Sequence, residues 1–242
     1  MPSAYQKSRR ERLREATLSE ICASARALLV AEGSAAVTMN AVARAMGMTG
    51  PALYRYYASQ AELMEGLKAD LFRELIETMR AAGDQPDFDT PAERLLSICR
   101  ALRGWAVAHP AEFRILFASP VPAPSMPHCD PSSSHSGYAF GQVFLEQVVV
   151  IWEAQRFPIP SLDDMDPAIA EQLQVYSERI GGRLPPEAAY VFLTCWMRLY
   201  GLLCMEVLNQ IGFAFSNVEP IFEGCLKELC EMLDIAYSPP GR

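Results

Sequence analysis

TMNAVARAMGMTGPALYRYY, residues 38–57, decides how the chain is read, because it holds two short helices and the turn between them. Thr38 offers its hydroxyl to an unpaired backbone N–H and starts the first helix. Val42 and Ala43 then face inward, and Ala43 is small enough for a second helix to come close. Gly47 ends that helix by supplying the positive φ that a turn between steeply crossed helices needs, and Met48 beside it is an apolar plug. Thr49 stands at the cap of the second helix. Pro51 sits in its first turn, where the missing N–H has no intrahelical partner to lose. Leu53 points into the core. Tyr54, Arg55 and Tyr56 follow on a helix expected over 49–57, whose N-terminal end enters a major groove in helix-turn-helix proteins. Arg55 and Tyr56 have no apolar reason to be there, whereas Tyr54 suits either a phosphate contact through its hydroxyl or plain packing.

Ahead of this segment Leu18, Ile21, Cys22, Ala25, Leu28 and Leu29 repeat at helical spacing, so an amphipathic helix precedes the motif and stops at Gly33. Behind it, Ser59-Gln60-Ala61-Glu62 reads as a capping box that starts a fourth helix. On these residues the stretch 21–63 resembles the N-terminal domain of the tetracycline-repressor (TetR) family. The resemblance lies in ICASARALLVAEG for the first helix, Thr38 with Val42-Ala43 for the second, then Gly47-Met48-Thr49, Leu53-Tyr54 and Tyr57. Two departures are visible: Tyr57 stands where the family usually has Phe, and Gln60 where a phosphate-contacting Lys is common. The resemblance implies an all-α protein, with a three-helix helix-turn-helix DNA-binding domain over 1–62 and a helical effector-binding and dimerisation domain over 63–242. The DNA contacts it implies are Thr38, Arg44, Thr49, Gly50, Pro51, Ala52, Tyr54, Arg55, Tyr56 and Gln60. A generic bundle whose apolar residues merely pack would need several spaced features to coincide by accident.

Charge is distributed as this reading requires. The chain of 242 residues carries a net charge of −8, which alone argues against nucleic acid. Yet residues 1–62 hold eight basic side chains (Lys7, Arg9, Arg10, Arg12, Arg14, Arg26, Arg44, Arg55) against five acidic ones, leaving −11 for the remainder. A basic head on an acidic body presents one positive face to phosphates and orients the encounter. KSRRERLR, residues 7–14, reads as an arm for phosphates or a minor groove, or else as a solvated, frayed terminus. Half of the residues are apolar, enough for a sizeable core in one or two domains. Arg greatly outnumbers Lys, and Ala and Pro are frequent, which hints at a GC-rich bacterial genome.

No apolar run follows the charges of MPSAYQKSRR, so a secretory signal is not expected and the protein should act in the cytoplasm, at the nucleoid. The longest apolar segment, 188–208, is broken by Arg198 and Glu206 and reads as a buried helix, with no membrane partner. Seven cysteines without a CxxC pair fit a reducing compartment. Cys99, Cys195, Cys204, Cys225 and Cys230 lie in apolar helical faces, where a thiol behaves as a small hydrophobe, and Cys129, in a loop, is the candidate for a redox sensor.

Beyond the motif the chain reads as helical throughout. Helices are expected over 59–82, 92–108, 112–118, 137–156, 167–180, 186–211 and 218–233. Gly83 to Pro91 is a linker, PVPAPSMPHCDPSSSHS (120–136) an exposed loop, and Gly181-Gly182 closes the fifth of these helices. Glu112 is expected on a solvated face. Helix 186–211 is apolar nearly all round and must be covered on more than one side. In the family this helix and the last one pack against their copy as a four-helix bundle. That implies a homodimer seam of Leu202, Met205, Ile221, Phe222, Cys225, Leu226, Leu229 and Leu233. Gly201, mid-helix, costs about 1 kcal/mol relative to Ala and calls for a close neighbour or a bend. Trp196-x-Arg198-Leu199-Tyr200-Gly201 resembles the Trp-His-Gly signature of one C-terminal subgroup, with Tyr200 replacing His.

Chemistry is sparse. His109, His128 and His135 lack metal-ligand spacing, and no Gly-rich phosphate loop or nucleophile elbow is present, so no catalytic residue, metal or cofactor is expected. Asp163-Asp164-Met165-Asp166 would suit an enzyme only with a second acidic cluster, and reads as a solvated loop. An architectural DNA-binding protein without an effector is the other alternative. The reading the residues favour is a DNA-binding regulator of the repressor kind, held on a palindromic operator in double-stranded DNA and released by a small molecule whose identity the sequence leaves open. Its ligand site is expected among Trp105, Phe113, Phe117, Phe144, Trp196 and Tyr200, with Arg103 and Tyr200 as polar handles for an apolar or aromatic ligand.

Overall fold

A computed structural model describes residues 8–86, 88–118 and 135–240. Among them are ten α-helices and no strand: α1 (Arg9–Glu32), α2 (Met39–Ala45), α3 (Gly50–Leu53), α4 (Gln60–Gly83), α5 (Pro91–Ala108), α6 (Pro110–Phe117), α7 (His135–Gln155), α8 (Pro167–Arg179), α9 (Pro186–Val207) and α10 (Glu219–Met232). The fold is all-α. Lys7 and most of the loop at 120–136, with His128 and Cys129, lie outside the described residues. The described residues form two compact units, one up to residue 73 together with the stretch from 111 to 118, the other holding the rest. The division falls inside α4.

In the first unit α1 begins earlier than its apolar spacing suggests. Ser8 and Glu11 form a capping box, with Ser8 Oγ accepting from the Glu11 N–H at 3.2 Å and the Glu11 carboxylate accepting from the Ser8 N–H at 2.7 Å. The basic run from Arg9 on is therefore the first turns of a helix and not a loose arm. Gly33 ends α1 with φ +86°, a conformation that a Cβ disfavours. Ile21, Ala25, Val37, Val42, Leu53, Leu63 and Leu67 make the core of this unit. The departure at Tyr57 is accommodated by two neighbours. Its hydroxyl lies 3.4 Å from Cys22 Sγ, and a Cβ on Gly66 would stand 2.6 Å from the same oxygen, so only glycine leaves room for the phenol.

The cap of α4 differs slightly from expectation: Ser59 Oγ accepts from the Glu62 N–H at 3.1 Å, but Glu62 reaches back to the Ala58 N–H, one residue early. Glu112 is not solvated. It is 3% exposed and accepts from Arg26 Nε at 2.9 Å, which ties α6 to α1 within this unit. Phe113 is buried beside Phe117, and Phe117 meets Phe72 edge-on at 5.6 Å, so the apolar face of α6 turns the carboxylate on its other side toward Arg26.

In the second unit α5 opens on a capping box, Thr90 with Glu93, and α8 on Asp166, whose carboxylate accepts from the Ala168 N–H at 2.8 Å. The acidic run 163–166 thus serves a helix start. Among the described residues no group of His, Cys, Asp and Glu is arranged to hold a metal. Helix α9 stops at Val207 instead of 211, because Asn209 takes a left-handed φ of +56° and the Gln210 N–H turns back to the Met205 carbonyl. By length and composition α9 is the one helix among those described that could cross a membrane. Its residues Ala188, Ala189, Phe192, Cys195, Leu199 and Leu203 are instead buried in this unit, where α5, α7, α8 and α10 pack on it. Beyond its own helix backbone and chain neighbours, no atom lies within 4 Å of where a Gly201 Cβ would stand, so the expected close neighbour is absent among the described residues.

The buried ion pair gives a test. Glu112→Gln should destabilise the protein by about 3 kcal/mol, the low end for breaking a buried pair because Arg26 keeps some water, and Glu112→Lys should cost more. Denaturant melts of the two variants read this directly, and wild-type stability for both would place Glu112 at the surface.

Candidate functional site

The first candidate site is built on the short helix α3. Thr38 caps α2 through its hydroxyl, which accepts from the Ala41 N–H at 3.2 Å. Gly47 holds φ +65°, and the Met48 N–H closes the turn onto the Ala43 carbonyl at 2.8 Å. Thr49 occupies the N-cap position of α3 without a side-chain capping bond, so its hydroxyl stays available. Regular helix ends at Leu53, short of the expected 57. The Arg55 and Tyr56 N–H groups bond three residues back, to Ala52 and Leu53, and tighten the last turn. This tightening sets the side chains apart. Leu53 and Tyr57 are buried, while Tyr54 is 53% exposed and Arg55 is open to solvent. Arg44, Gly50, Pro51 and Ala52 are exposed or half-buried on the same two helices. Gln60 is exposed, but its amide donates to the Val37 carbonyl at 2.9 Å. It braces the entrance to α2.

A groove of about 550 Å3 adjoins this segment, lined by Arg9, Arg10, Leu13, Arg14 and Thr17 of α1 together with Arg55 and Tyr56. The Arg14 guanidinium lies over the Tyr56 ring, 5.3 Å from its centroid. Among the described residues no carboxylate pairs with Arg9, Arg10, Arg14 or Arg55. Four unneutralised guanidinium groups around one groove make a site for anions. The α1 arginines are absent from the contacts expected from the motif, although KSRRERLR carried the signal.

The second candidate site is an apolar cavity in the second unit. Its room for the centre of a water molecule is about 30 Å3, and α5, α7, α9 and α10 line it with residues such as Leu95, Cys99, Phe144, Cys195, Trp196 and Leu229. Of the expected ligand residues, the structure brings Phe144 and Trp196 together here, their ring centroids 5.3 Å apart. Tyr200 stacks on Trp196 at 5.5 Å from outside the lining, with its hydroxyl bonded to Cys204. The others are engaged elsewhere. Arg103 bonds Glu206 through Nε and Nη2 at 2.7–3.2 Å, Trp105 Nε1 donates to Glu74 at 2.8 Å, and Phe113 and Phe117 belong to the core of the first unit.

The expected dimer residues also separate. Phe222, Leu226, Leu229 and Leu233 are buried in the protomer's own core, whereas Met205 and Ile221 are exposed and Leu202 and Cys225 half-buried. The stripe on α10 is wide enough to serve both faces, and sequence spacing does not divide it.

Residues 21–67 match the model for bacterial regulatory proteins of the tetR family, and residues 95–229 the model for a tetracyclin repressor-like C-terminal domain. The chain belongs to the TetR family. A helix-turn-helix transcriptional regulator of Mycobacterium tuberculosis (strain H37Rv) is 36% identical over 205 residues, which span 84% of this chain and 86% of that protein. The crystal structure of the regulatory protein SCO4313 superposes with a TM-score of 0.64 at 30% identity, over 92% of this chain and 98% of that one. RolR, solved in complex with resorcinol, shares the fold at a TM-score of 0.57 and 15% identity, over 96% of this chain and 98% of that one. As a TetR-family member the protein is a DNA-binding transcriptional regulator and not an enzyme.

Burial sets the chemistry of the thiols in this regulator. It pushes Cys195 up to about 12, Cys230 up to about 11, and raises Cys99 as well. All three line the cavity. They act as apolar surface, since at neutral pH almost none is thiolate. A raised folded value means that the folded state holds the proton more tightly than the unfolded chain. The stability this gives is complete below about pH 9 and is lost as pH climbs toward 12. Iodoacetamide at pH 8 should therefore label these three cysteines far more slowly in the native protein than in denaturant, as read by mass spectrometry. Equal rates would show the thiols to be open.

Proposed function

We propose that the protein is a cytoplasmic, homodimeric repressor that holds a palindromic operator through the α2–α3 segment and the arginines of α1, and leaves it when a small apolar or aromatic molecule occupies the cavity of the second unit. The observation that carries the DNA half is the exposed Tyr54 and Arg55 beside a groove of unpaired arginines. Arg55 suits a base edge, the α1 arginines and the Thr49 and Tyr54 hydroxyls suit phosphates, and Thr38 and Gln60 position the helices that carry them.

The effector half rests on the cavity lining. Apart from the Trp196 indole N–H and three thiols, the lining side chains are purely hydrocarbon, and Phe144 and Trp196 supply flat faces. A neutral aromatic molecule suits it, and the resorcinol bound by RolR is of that general kind. Release follows from population shift: the ligand lowers operator affinity by as much as it prefers the conformation that does not bind DNA. The dimer is assigned to the half of the apolar stripe that the protomer leaves open. Met197, Gly201 and Met205 follow one another at four-residue spacing on α9, with Ile221 and Cys225 on α10. Open space at Gly201 and Gly224 suits the close approach of a second copy.

Fluorescence anisotropy with fragments enriched from the source genome tests the DNA face. Arg55→Ala should weaken specific binding by about 1–3 kcal/mol, and each of Arg9→Ala, Arg10→Ala and Arg14→Ala should lower the slope of log affinity against log salt by about 1. Unchanged affinity and slope in all four variants would remove this face from DNA. For assembly, Met205→Glu should yield monomers in analytical ultracentrifugation at micromolar concentration, because it places a charge in the proposed seam. A dimeric variant would move the seam elsewhere.

A further inference from the structure

We infer that the segment 234–240, which follows α10, is a displaceable plug of the apolar cavity, and that Ile235 on it decides what the cavity admits; the inference rests on the reading of this cavity as the effector site. Room of about 30 Å3 holds little more than a water or two, while cavities that take small molecules run to several hundred. Some lining element must therefore move for a ligand to enter. All the lining residues lie on α5, α7, α9 and α10 or at the C-cap of α10, except Ile235. A residue on a helix moves only with that helix and its packing, whereas Ile235 moves with a short strap.

The strap is held by polar bonds that water can replace. Asp234 reverses the chain in a left-handed conformation, φ +50°, and the Ile235 N–H returns to the Cys230 carbonyl at 2.9 Å. Gln155 of α7 donates its amide to the Leu233 and Asp234 carbonyls. Arg100 of α5 grips Glu223 of α10 in two bonds, at 2.9 and 2.8 Å, and donates to the Ser238 carbonyl at 2.7 Å, while the Tyr237 hydroxyl donates to Glu223 at 2.8 Å. The strained turn favours opening and this latch opposes it. A neutral apolar ligand thus competes with Ile235 for one apolar space. Its apparent affinity is its intrinsic affinity reduced by the small fraction of molecules with the strap lifted.

The test uses the full chain and the neutral fluorophore N-phenyl-1-naphthylamine, whose emission rises in apolar surroundings and can be excited by energy transfer from Trp196. Three variants weaken the strap: a chain ended after Asp234 and Tyr237→Phe leave the contacts between helices alone, and the double variant Arg100→Met with Glu223→Met removes the α5–α10 ion pair together with the latch. The shortened chain and the double variant should bind the probe about tenfold more tightly than wild type, and Tyr237→Phe about threefold. In each case Trp196→Phe should remove most of the transferred emission. The double variant replaces both charges by apolar groups of similar length, and Tyr237→Phe removes one hydroxyl, so the test stands if the shortened chain does not fold. Folded variants that bind the probe through Trp196 no better than wild type would overturn the plug and leave the cavity reading in place. No uptake by any form, or emission indifferent to Trp196→Phe, would overturn the cavity reading and the plug with it.

Discussion

Gly47 holds a backbone conformation, φ +65°, that a side chain with a Cβ adopts only under strain, and the placement of the α2–α3 segment hangs on that turn. With four residues α3 has too few bonds of its own to persist in water, so its direction is borrowed from what it is fastened to. The Met48 N–H locks the turn onto Ala43, Leu53 sinks into the core, and Tyr57 fixes the far end between Cys22 and Gly66. Gln60 then ties the start of α4 to the carbonyl of Val37 just before α2. Every anchor lies on one side of the segment, which leaves Tyr54 and Arg55 on the other.

Arginine is used in two ways in this chain. In the second unit Arg100, Arg103 and Arg198 each meet a glutamate, and Arg100 and Arg103 do so with most of their surface buried. These pairs fix helices to one another, and the exposed pair Arg198–Glu228 adds little stability. In the first unit Arg26 is paired through the buried Glu112, but among the described residues Arg9, Arg10, Arg14 and Arg55 meet no carboxylate. Positive charge left unneutralised on a chain of net −8 has a cost in self-repulsion only where it is crowded, and it is crowded along one groove. Such a groove is stabilised when phosphates fill it, with a salt dependence that follows from counterion release.

The motif was legible because its signals are local. Thr38, Gly47, Pro51 and Leu53 each act within a few residues of themselves, so composition and spacing are enough to place them. The box at Thr90 and Glu93 was equally readable and sharpens the start of α5. What spacing does not carry is which side of a wide stripe meets which neighbour. Leu229 and Ile221 both belong to the apolar face of α10, yet one is buried in the protomer and the other exposed. Aromatic content likewise pointed to a pocket without locating it. Phe113 and Phe117 pack in the first unit, Trp105 is occupied by Glu74, and of the expected residues only Phe144 and Trp196 reach the cavity, where Phe192 joins them. Glu112 looked solvated because its partner, Arg26, stands 86 residues away in the sequence. The strap escaped notice for the same reason, since Arg100 and Ser238 are joined only in the fold.

The central claim is that two copies present the Gly47-fixed segment to DNA together, with the arginines of α1 on the flanking backbone. Hydroxyl-radical footprinting on the tightest-binding genomic fragment tests it most directly, because it reports backbone protection nucleotide by nucleotide. The account predicts two symmetric protected half-sites whose centres are separated by about one helical turn, roughly 10 base pairs, or a multiple of it. In the Arg9→Ala and Arg10→Ala proteins the outer edges of each half-site should lose protection while the centres keep it. A single asymmetric footprint, or protection whose edges do not depend on α1, would contradict it.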